Sequence, residues 1–546
     1  MLKKFKRKIY LSSPVYVLLF SIFLVLFFAF PSIMLKFNIN VTNGFSLYKS
    51  LTSISAELLL VVCLVTPVLY VLSFSRILLK IFVIIFITFS CIFSYYVLFN
   101  HVILDEFFIA TVFETPLRDA GDAIDIWLFI YCFFFGLLPI IFWVYIVKIR
   151  YYGKSFLSKI TRYLVSLVIS SLVLCSFFAI SFFLNKDMYS NQAERLLKTS
   201  LSLYMPLNYV AGMYQYFVQI RPNTNIETKI NISKEYPFSF YDDKFKNEDY
   251  TVILVIGESA RAKNQQMNGY FRETNPRLSK EKNLINFSDV TSCATYTAYS
   301  VNCMLSHKTK KDFVLNTEES NLVSAFESVG FSTYYFSTQP LYNEISLSYF
   351  PVKDADIKVF ANQVRTKIPS NNHIYDEYLL DFVDDIDFSK PKKRLIILHL
   401  MTSHTPYNKR YPEKFNVFKA KERNVIDEYD NTILYTDYIM DKVINMFKDK
   451  KTFLYFASDH GESLGENGIY LHAANYDTAP KEQKHIFQFV WASDSMINMM
   501  GARYNNIKAK KDAPLSHDNL FPSLFDCMGI KSSIVNKKLS LCESSR

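Results

Sequence analysis

The stretch Tyr250–Ser259, YTVILVIGES, is a β-branched and aliphatic run that stops at Gly257, Glu258 and Ser259. Three similar runs follow, Ser332–Phe336, Arg394–Leu400 and Thr452–Ala457, separated by stretches of helical pattern. Short strands alternating with helices predict an α/β sheet covered by helices on both faces. Such sheets bind their ligands beyond the carboxyl ends of the strands. The residues collected there are Glu258 and Ser259, then Ser403 and His404, then Asp459 and His460. Glu, Asp and His converging on one edge form an oxygen and nitrogen ligand set suited to zinc.

Each residue alone has an ordinary structural reading. A Glu after a strand is commonly a helix N-terminal charge, and Asp-His is a common turn dipeptide. His404 and His472 could each be satisfied structural histidines, and Thr297 could be a helix N-cap. Their collection at one sheet edge is what argues for a site. Thr297 itself lies in Thr291–Met304, TSCATYTAYSVNCM, where Cys293 and Cys303 bracket several hydroxyl side chains. If these cysteines pair, the small ring gains roughly 2.5–3 kcal/mol and pins the hydroxyls in one geometry. Such a bond requires an oxidising compartment.

The first third of the chain bears on that requirement. The sequence has 546 residues, 50% hydrophobic and 16% aromatic, with the apolar residues crowded toward the start. Five apolar runs, Val15–Met34, Leu58–Phe74, Ile77–Phe99, Ile126–Val147 and Leu164–Phe183, are each long enough to cross a bilayer. No small-residue cleavage pattern closes the first, so all five are expected to remain. The basic N-terminus, the Arg76/Lys80 turn and Lys148–Arg162 fall on one side, which is therefore cytoplasmic. An odd number of spans then places the C-terminal portion across the membrane, in the periplasm of a bacterium. The ring around Thr297 is chemically allowed there. The net charge of +10 is scattered among acids and short loops, which favours an anionic membrane surface over nucleic acid.

The outer loop His101–Asp125 is rich in acids, and Glu114, Thr115 and Asp119 could rim the membrane surface for a cationic head group. The same loop could equally be a solvated connector. The expected division is a transmembrane domain over 1–185, interfacial amphipathic helices and a linker over 186–235, and the α/β domain over 236–546.

The segments VIGESARAKNQQMNGYFRETNP, SCATYTAYSVNCMLS, LMTSHTPYNKRYP and SDHGESLGENGIYLHAANYDTAP resemble the bacterial phosphoethanolamine transferases. These form a membrane branch of the alkaline phosphatase and sulfatase superfamily and include the mobile colistin-resistance enzymes. The resemblance covers the five-span anchor as well. It implies a five-helix transmembrane domain joined to a periplasmic alkaline phosphatase/sulfatase-like α/β domain at the inner membrane. It further implies Thr297 as nucleophile, and Glu258, Asp459 and His460 as ligands of a zinc ion that also binds the Thr297 oxygen. His404 and His472 would hold the phosphoryl group or a second, substrate-associated zinc. Thr111, Thr115 and Asp119 fall where the family places an Asn, a Thr and a Glu at the donor head group.

The implied reaction moves phosphoethanolamine from phosphatidylethanolamine to lipid A, a lipopolysaccharide core sugar or a protein, with a monomer expected. A covalent phospho-threonine is the implied intermediate and diacylglycerol the released product. If the acceptor is an anionic lipid, the added ethanolamine weakens binding of cationic peptides such as polymyxin. One loop departs from the family. After FSTYYFS the lipid A-modifying members carry an Asn-Ser-Gly-Cys-Lys type loop, whereas this chain has STQPLYNEISLSYF, so the acceptor stays open. Cys527 and Cys542 could form a second disulfide. A glycerol-phosphate transferase or phosphodiesterase of the same superfamily would use a similar residue set, and a non-catalytic membrane sensor would not need Thr297.

Overall fold

The computed structural model describes residues 8–42, 46–99, 126–150, 203–220, 230–314, 319–339, 352–368, 373–390, 392–419, 424–466, 469–474 and 479–544, with scattered positions between 104 and 176 and at 476 and 477. The chain divides into two compact units, Met1–Val218 and Gln219–Arg546.

In the first unit, four helices among the described residues are long and apolar enough to cross a membrane. They are α1 (Ser13–Thr42), α2 (Leu47–Leu72), α3 (Arg76–Phe99) and α4 (Ile126–Ile146). The fifth expected span, Leu164–Phe183, falls mostly outside the described residues. A short strand before α1, β1 (Ile9–Ser12), pairs in parallel with β2 (Val147–Arg150) after α4. Four crossings by the described helices between them would bring the two to one side.

The second span starts eleven residues earlier than its apolar run, at Leu47 rather than Leu58. Glu57 ends the apolar pattern but not the helix. Its carboxylate is buried, 3.3 Å from Lys36 Nζ, and accepts hydrogen bonds from Ser53 Oγ at 3.3 Å and Tyr204 OH at 2.9 Å. A charge within such a helix persists only when paired in this way. Helix α5 (Leu207–Gln215) turns Asn208, Tyr209 and Gly212 inward. The Tyr209 hydroxyl lies 3.3 Å from Ser90 Oγ of α3.

The second unit is built on a seven-stranded sheet: β3 (Thr251–Gly257), β4 (Leu284–Phe287), β5 (Phe331–Ser337), β6 (Ile357–Val359), β7 (Lys393–His399), β8 (Thr452–Ser458) and β9 (Gln488–Ala492). Their spatial order is β4-β9-β8-β3-β7-β5-β6. From β8 through β6 neighbouring strands run parallel, and β9 and β4 complete the sheet antiparallel. The four strands read from the sequence are all present. The short strands β4, β6 and β9 were not foreseen.

Every residue of β3 is buried. One face of the strand, Val252, Leu254 and Ile256, packs with Phe326, Phe521 and Phe525, while Ile253 and Val255 pack with Tyr429, Ile433 and Ile439. Burying such aliphatic side chains contributes about 1.5–3 kcal/mol each, so the central strand is anchored from both layers. The second layer is dominated by the 23-residue helix Val425–Phe447. Gly257 closes β3 against the Phe456 ring, where a Cβ would come within 2.6 Å of Cζ. The strands that arrive after β3, namely β7 and β8, flank it on opposite sides, which opens a crevice at their shared carboxyl ends.

Candidate active site

Three strand ends feed this crevice. Glu258 follows β3, Asp459 and His460 follow β8, and His404 lies five residues beyond β7. Directly after Glu258, Ser259 adopts a left-handed backbone (φ +56) that non-glycine residues seldom take. Its N–H donates to Asp459 Oδ1 at 3.1 Å, its Oγ donates to Glu258 Oε1 at 2.8 Å, and its carbonyl accepts from Tyr429 OH at 2.6 Å. These bonds hold a conformation that the isolated chain would avoid.

Thr297 arrives from the other side, as the first residue of helix α6 (Thr297–Met304). It is thus inside the helix, while the residue at the N-cap is Tyr296. Cys293 and Cys303 are disulfide-bonded with Cα atoms 6.3 Å apart, tying the approach loop to the end of α6. Three further contacts fix this segment. The Cys293 N–H donates to His517 Nδ1 at 3.0 Å, the Ala473 N–H donates to the Thr295 carbonyl at 2.7 Å, and Ser300 Oγ donates to the Asp459 carbonyl. Thr297 Oγ1 then donates to Glu258 Oε2 at 3.1 Å and lies 3.2 Å from His460 Nε2. Cys527 and Cys542 also pair, within the core layer that α6 packs into through Val301 and Met304.

His460 Nδ1 is 2.9 Å from the Gly461 carbonyl, a contact that requires the proton on Nδ1 and leaves the Nε2 lone pair facing inward. That lone pair faces Asp459 Oδ2 at 3.3 Å and Glu258 Oε1 at 3.5 Å. Asp459 Oδ2 is buried without a hydrogen-bond partner. Burial, with Asp459 nearby, pushes Glu258 up to about 7, and burial pushes Asp459 up to about 6. Burial, with His472 nearby, pulls His460 down to about 4. Two buried carboxylates and an imidazole lone pair, with ligand atoms all within 4.8 Å of one another and one oxygen unsatisfied, fit a divalent cation. The mixed N/O donor set suits zinc.

The remaining expected histidines line the same crevice. The ring centroids of His460 and His472 are 4.4 Å apart, and those of His404 and His472 are 6.1 Å apart. Burial alone would lower His472, but Glu462, at 2.7 Å from Nδ1, together with Glu258 and Asp459 raises it to about 9. His404 is held well below the usual histidine range by burial and by Arg410. Its Nδ1–H donates to the Thr405 carbonyl at 2.6 Å, and Arg410 Nε donates to the His404 carbonyl at 2.9 Å.

The structure therefore brings together Glu258, Thr297, His404, Asp459, His460 and His472. Thr111, Glu114, Thr115 and Asp119 lie outside the described residues. The sequence reading overlooked Glu462, His517 and Gln339. Glu462 was legible only as part of the quoted SDHGES segment, since the contact with His472 that distinguishes it is tertiary.

Comparison with known proteins follows this geometry. Residues 250–530 match the family model described as Sulfatase, and residues 61–220 match the one described as Phosphoethanolamine transferase EptA/EptB. Phosphoethanolamine transferase EptA of Salmonella typhimurium is 30% identical over 469 residues, covering 81% of each chain. The chain belongs to the phosphoethanolamine transferase family. Within that family, the lipooligosaccharide phosphoethanolamine transferase A of Neisseria meningitidis shares the fold, with a TM-score of 0.83 at 23% identity over 98% of this chain and 100% of that one. The C-terminal periplasmic domain of EptC from Escherichia coli, solved in complex with Zn, matches with a TM-score of 0.50 at 23% identity, covering 56% of this chain and 89% of that one. As a family member the chain is a transferase with a sulfatase-like catalytic unit and an apolar helical N-terminal unit.

Proposed function

We propose that this transferase moves phosphoethanolamine from phosphatidylethanolamine to a cell-envelope acceptor through a phospho-threonine on Thr297. The observation that carries the reading is the Thr297 hydroxyl, bonded to Glu258 Oε2 and facing His460 Nε2 at the start of a helix. Glu258, Asp459, His460 and Thr297 would hold a zinc ion, in keeping with their donor chemistry and with the zinc complex of the relative. When bound, the ion supplies the positive charge that makes loss of the Thr297 proton accessible near neutral pH.

The residues themselves do the rest. Glu258 Oε2 accepts the hydrogen bond of the Thr297 hydroxyl and so aims its lone pairs outward. Oγ1 attacks phosphorus in line, the bond from phosphorus to the glycerol oxygen breaks, and diacylglycerol departs with a proton. His472, kept cationic by Glu462, offsets charge on the equatorial phosphoryl oxygens, as does the N-terminal end of α6. His404, held neutral with its Nδ1–H on the Thr405 carbonyl, keeps an Nε2 lone pair that can accept from a hydroxyl or ammonium of a substrate or serve a second, substrate-associated zinc. In the second step an acceptor oxygen attacks phosphorus and Thr297 is regenerated. Lipid A, a lipopolysaccharide core sugar and a protein are the acceptor classes, with relatives named for lipid A transfer supporting the first. Both disulfides suit a periplasmic catalytic unit carried by a multi-pass inner-membrane anchor.

The test is peptide mass spectrometry of the wild-type chain and Thr297→Ala after incubation with phosphatidylethanolamine and zinc. A phosphoethanolamine adduct on the Thr297 peptide, with diacylglycerol released and both lost in the variant, is the expected result. An adduct elsewhere, or glycerol-phosphate from phosphatidylglycerol instead, would overturn it.

A further inference from the structure

Gln339 sits two residues past the end of β5. Its side-chain Nε2 lies 3.0 Å from the Leu400 carbonyl, just past β7, and 3.0 Å from Glu258 Oε2, just past β3. In the sheet β7 lies between β5 and β3. The amide therefore reaches across one whole strand, a lateral span of about 10 Å between strand axes, to the carboxylate beside the nucleophile. The Leu400 carbonyl can only accept, so the amide must present its NH2 group here, and both N–H bonds are used.

The backbone beneath is fixed. Thr338 N–H donates to the His399 carbonyl at 3.2 Å, Thr338 Oγ1 donates to buried Asp376, and Gln339 N–H donates to Ser337 Oγ at 2.9 Å. Glu258 Oε2 accepts from both Gln339 and Thr297, while Oε1 takes the Ser259 hydroxyl and faces His460. Among the described residues, Gln339 is the β5-side group that hydrogen-bonds this carboxylate and so opposes its rotation.

We propose that Gln339 is a positioning residue, which locks the rotation of the Glu258 carboxylate and thereby sets the zinc affinity of the site. The inference rests on the zinc-assisted reading above. A partner that orients a metal-binding side chain through a hydrogen bond typically changes metal affinity 10- to 100-fold.

The experiment measures zinc affinity by competition with a chromophoric chelator for full-length wild type, Gln339→Leu and Gln339→Asn, with the melting temperature of each metal-free protein alongside. Leucine keeps the bulk but removes both donors. Asparagine keeps the polar amide but withdraws its nitrogen by one methylene from both acceptors. Both variants are expected to bind zinc 10- to 100-fold more weakly than wild type, with Gln339→Asn melting as wild type does when metal-free. Should Gln339→Leu fail to fold, Gln339→Asn decides alone. Unchanged zinc affinity in Gln339→Asn overturns the inference and leaves the metal reading intact. A wild type that binds no zinc overturns both.

Discussion

Glu462 Oε2 lies 2.7 Å from His472 Nδ1, and neither residue is free to move away from the other. Glu462 is fully buried and also accepts a hydrogen bond from Tyr407 OH, while Arg261 Nη1 donates to its carbonyl at 3.0 Å. His472 thus owes its ring orientation to this carboxylate, and its charge to it first among Glu462, Glu258 and Asp459. Glu462→Gln keeps the shape and removes the charge. Turnover is expected to fall roughly 10- to 100-fold, with zinc content and melting temperature close to wild type. Unchanged turnover would mean that the His472 charge is not used.

Metal loading should depend on pH with a definite sign. In the metal-free protein Glu258 is raised to about 7 and Asp459 to about 6, so both hold protons on the acid side that a cation must displace. Affinity therefore rises as pH rises through this window. Zinc affinity is expected to drop roughly tenfold to a hundredfold from pH 7.5 to 5.5, read by chelator competition. Glu258→Gln should flatten the slope as well as weaken binding.

The ring closed by Cys293 and Cys303 carries Thr297, the proposed nucleophile, so its loss has two separable effects. Replacing both cysteines by serine should cost the catalytic unit roughly 2.5–3 kcal/mol by the loop-entropy estimate, measured by denaturation under oxidising conditions. The contacts of Thr295 with Ala473 and Ala474 remain, so the loop should still reach the site, with slower formation of the Thr297 adduct. A variant with wild-type stability would show that those contacts alone define the loop.

Gly257→Ala should destabilise through the Phe456 ring, where the new Cβ meets Cζ at 2.6 Å. Overpacking of this kind typically costs about 1–3 kcal/mol. Phe456→Leu in the same chain should recover part of the loss in a double-mutant cycle. If the losses simply add, the ring is not what excludes the methyl group.

What the sequence revealed and concealed follows from the range of the forces involved. Strands β3, β7 and β8 were legible because each is a continuous apolar run that leads to Glu258, His404 or Asp459, and β5 as a β-branched and aromatic run, whereas the parallel β6 is only three residues long. Strands β4 and β9 were not, because LINF and QFVWA are short and gain their pairing only from one another and from β8. The start of α2 was hidden by Glu57, whose cost in an apolar setting is offset by Lys36, Ser53 and Tyr204, residues that no local pattern connects to it. Thr297 and its ligand neighbours could be gathered from strand-end logic and motif resemblance. Gln339 could not, since its importance exists only once β5, β7 and β3 stand side by side.

The pairing of Ile9–Ser12 with Val147–Arg150 bears on how the protein is made. The first of these strands leaves the ribosome well over a hundred residues before its partner exists. Until the fourth helix has been synthesised and inserted, the amino-terminal strand has an open hydrogen-bonding edge. The pairing therefore waits until residue 150 of 546 has been made, and a chain truncated before residue 147 would lack the clasp between these two segments.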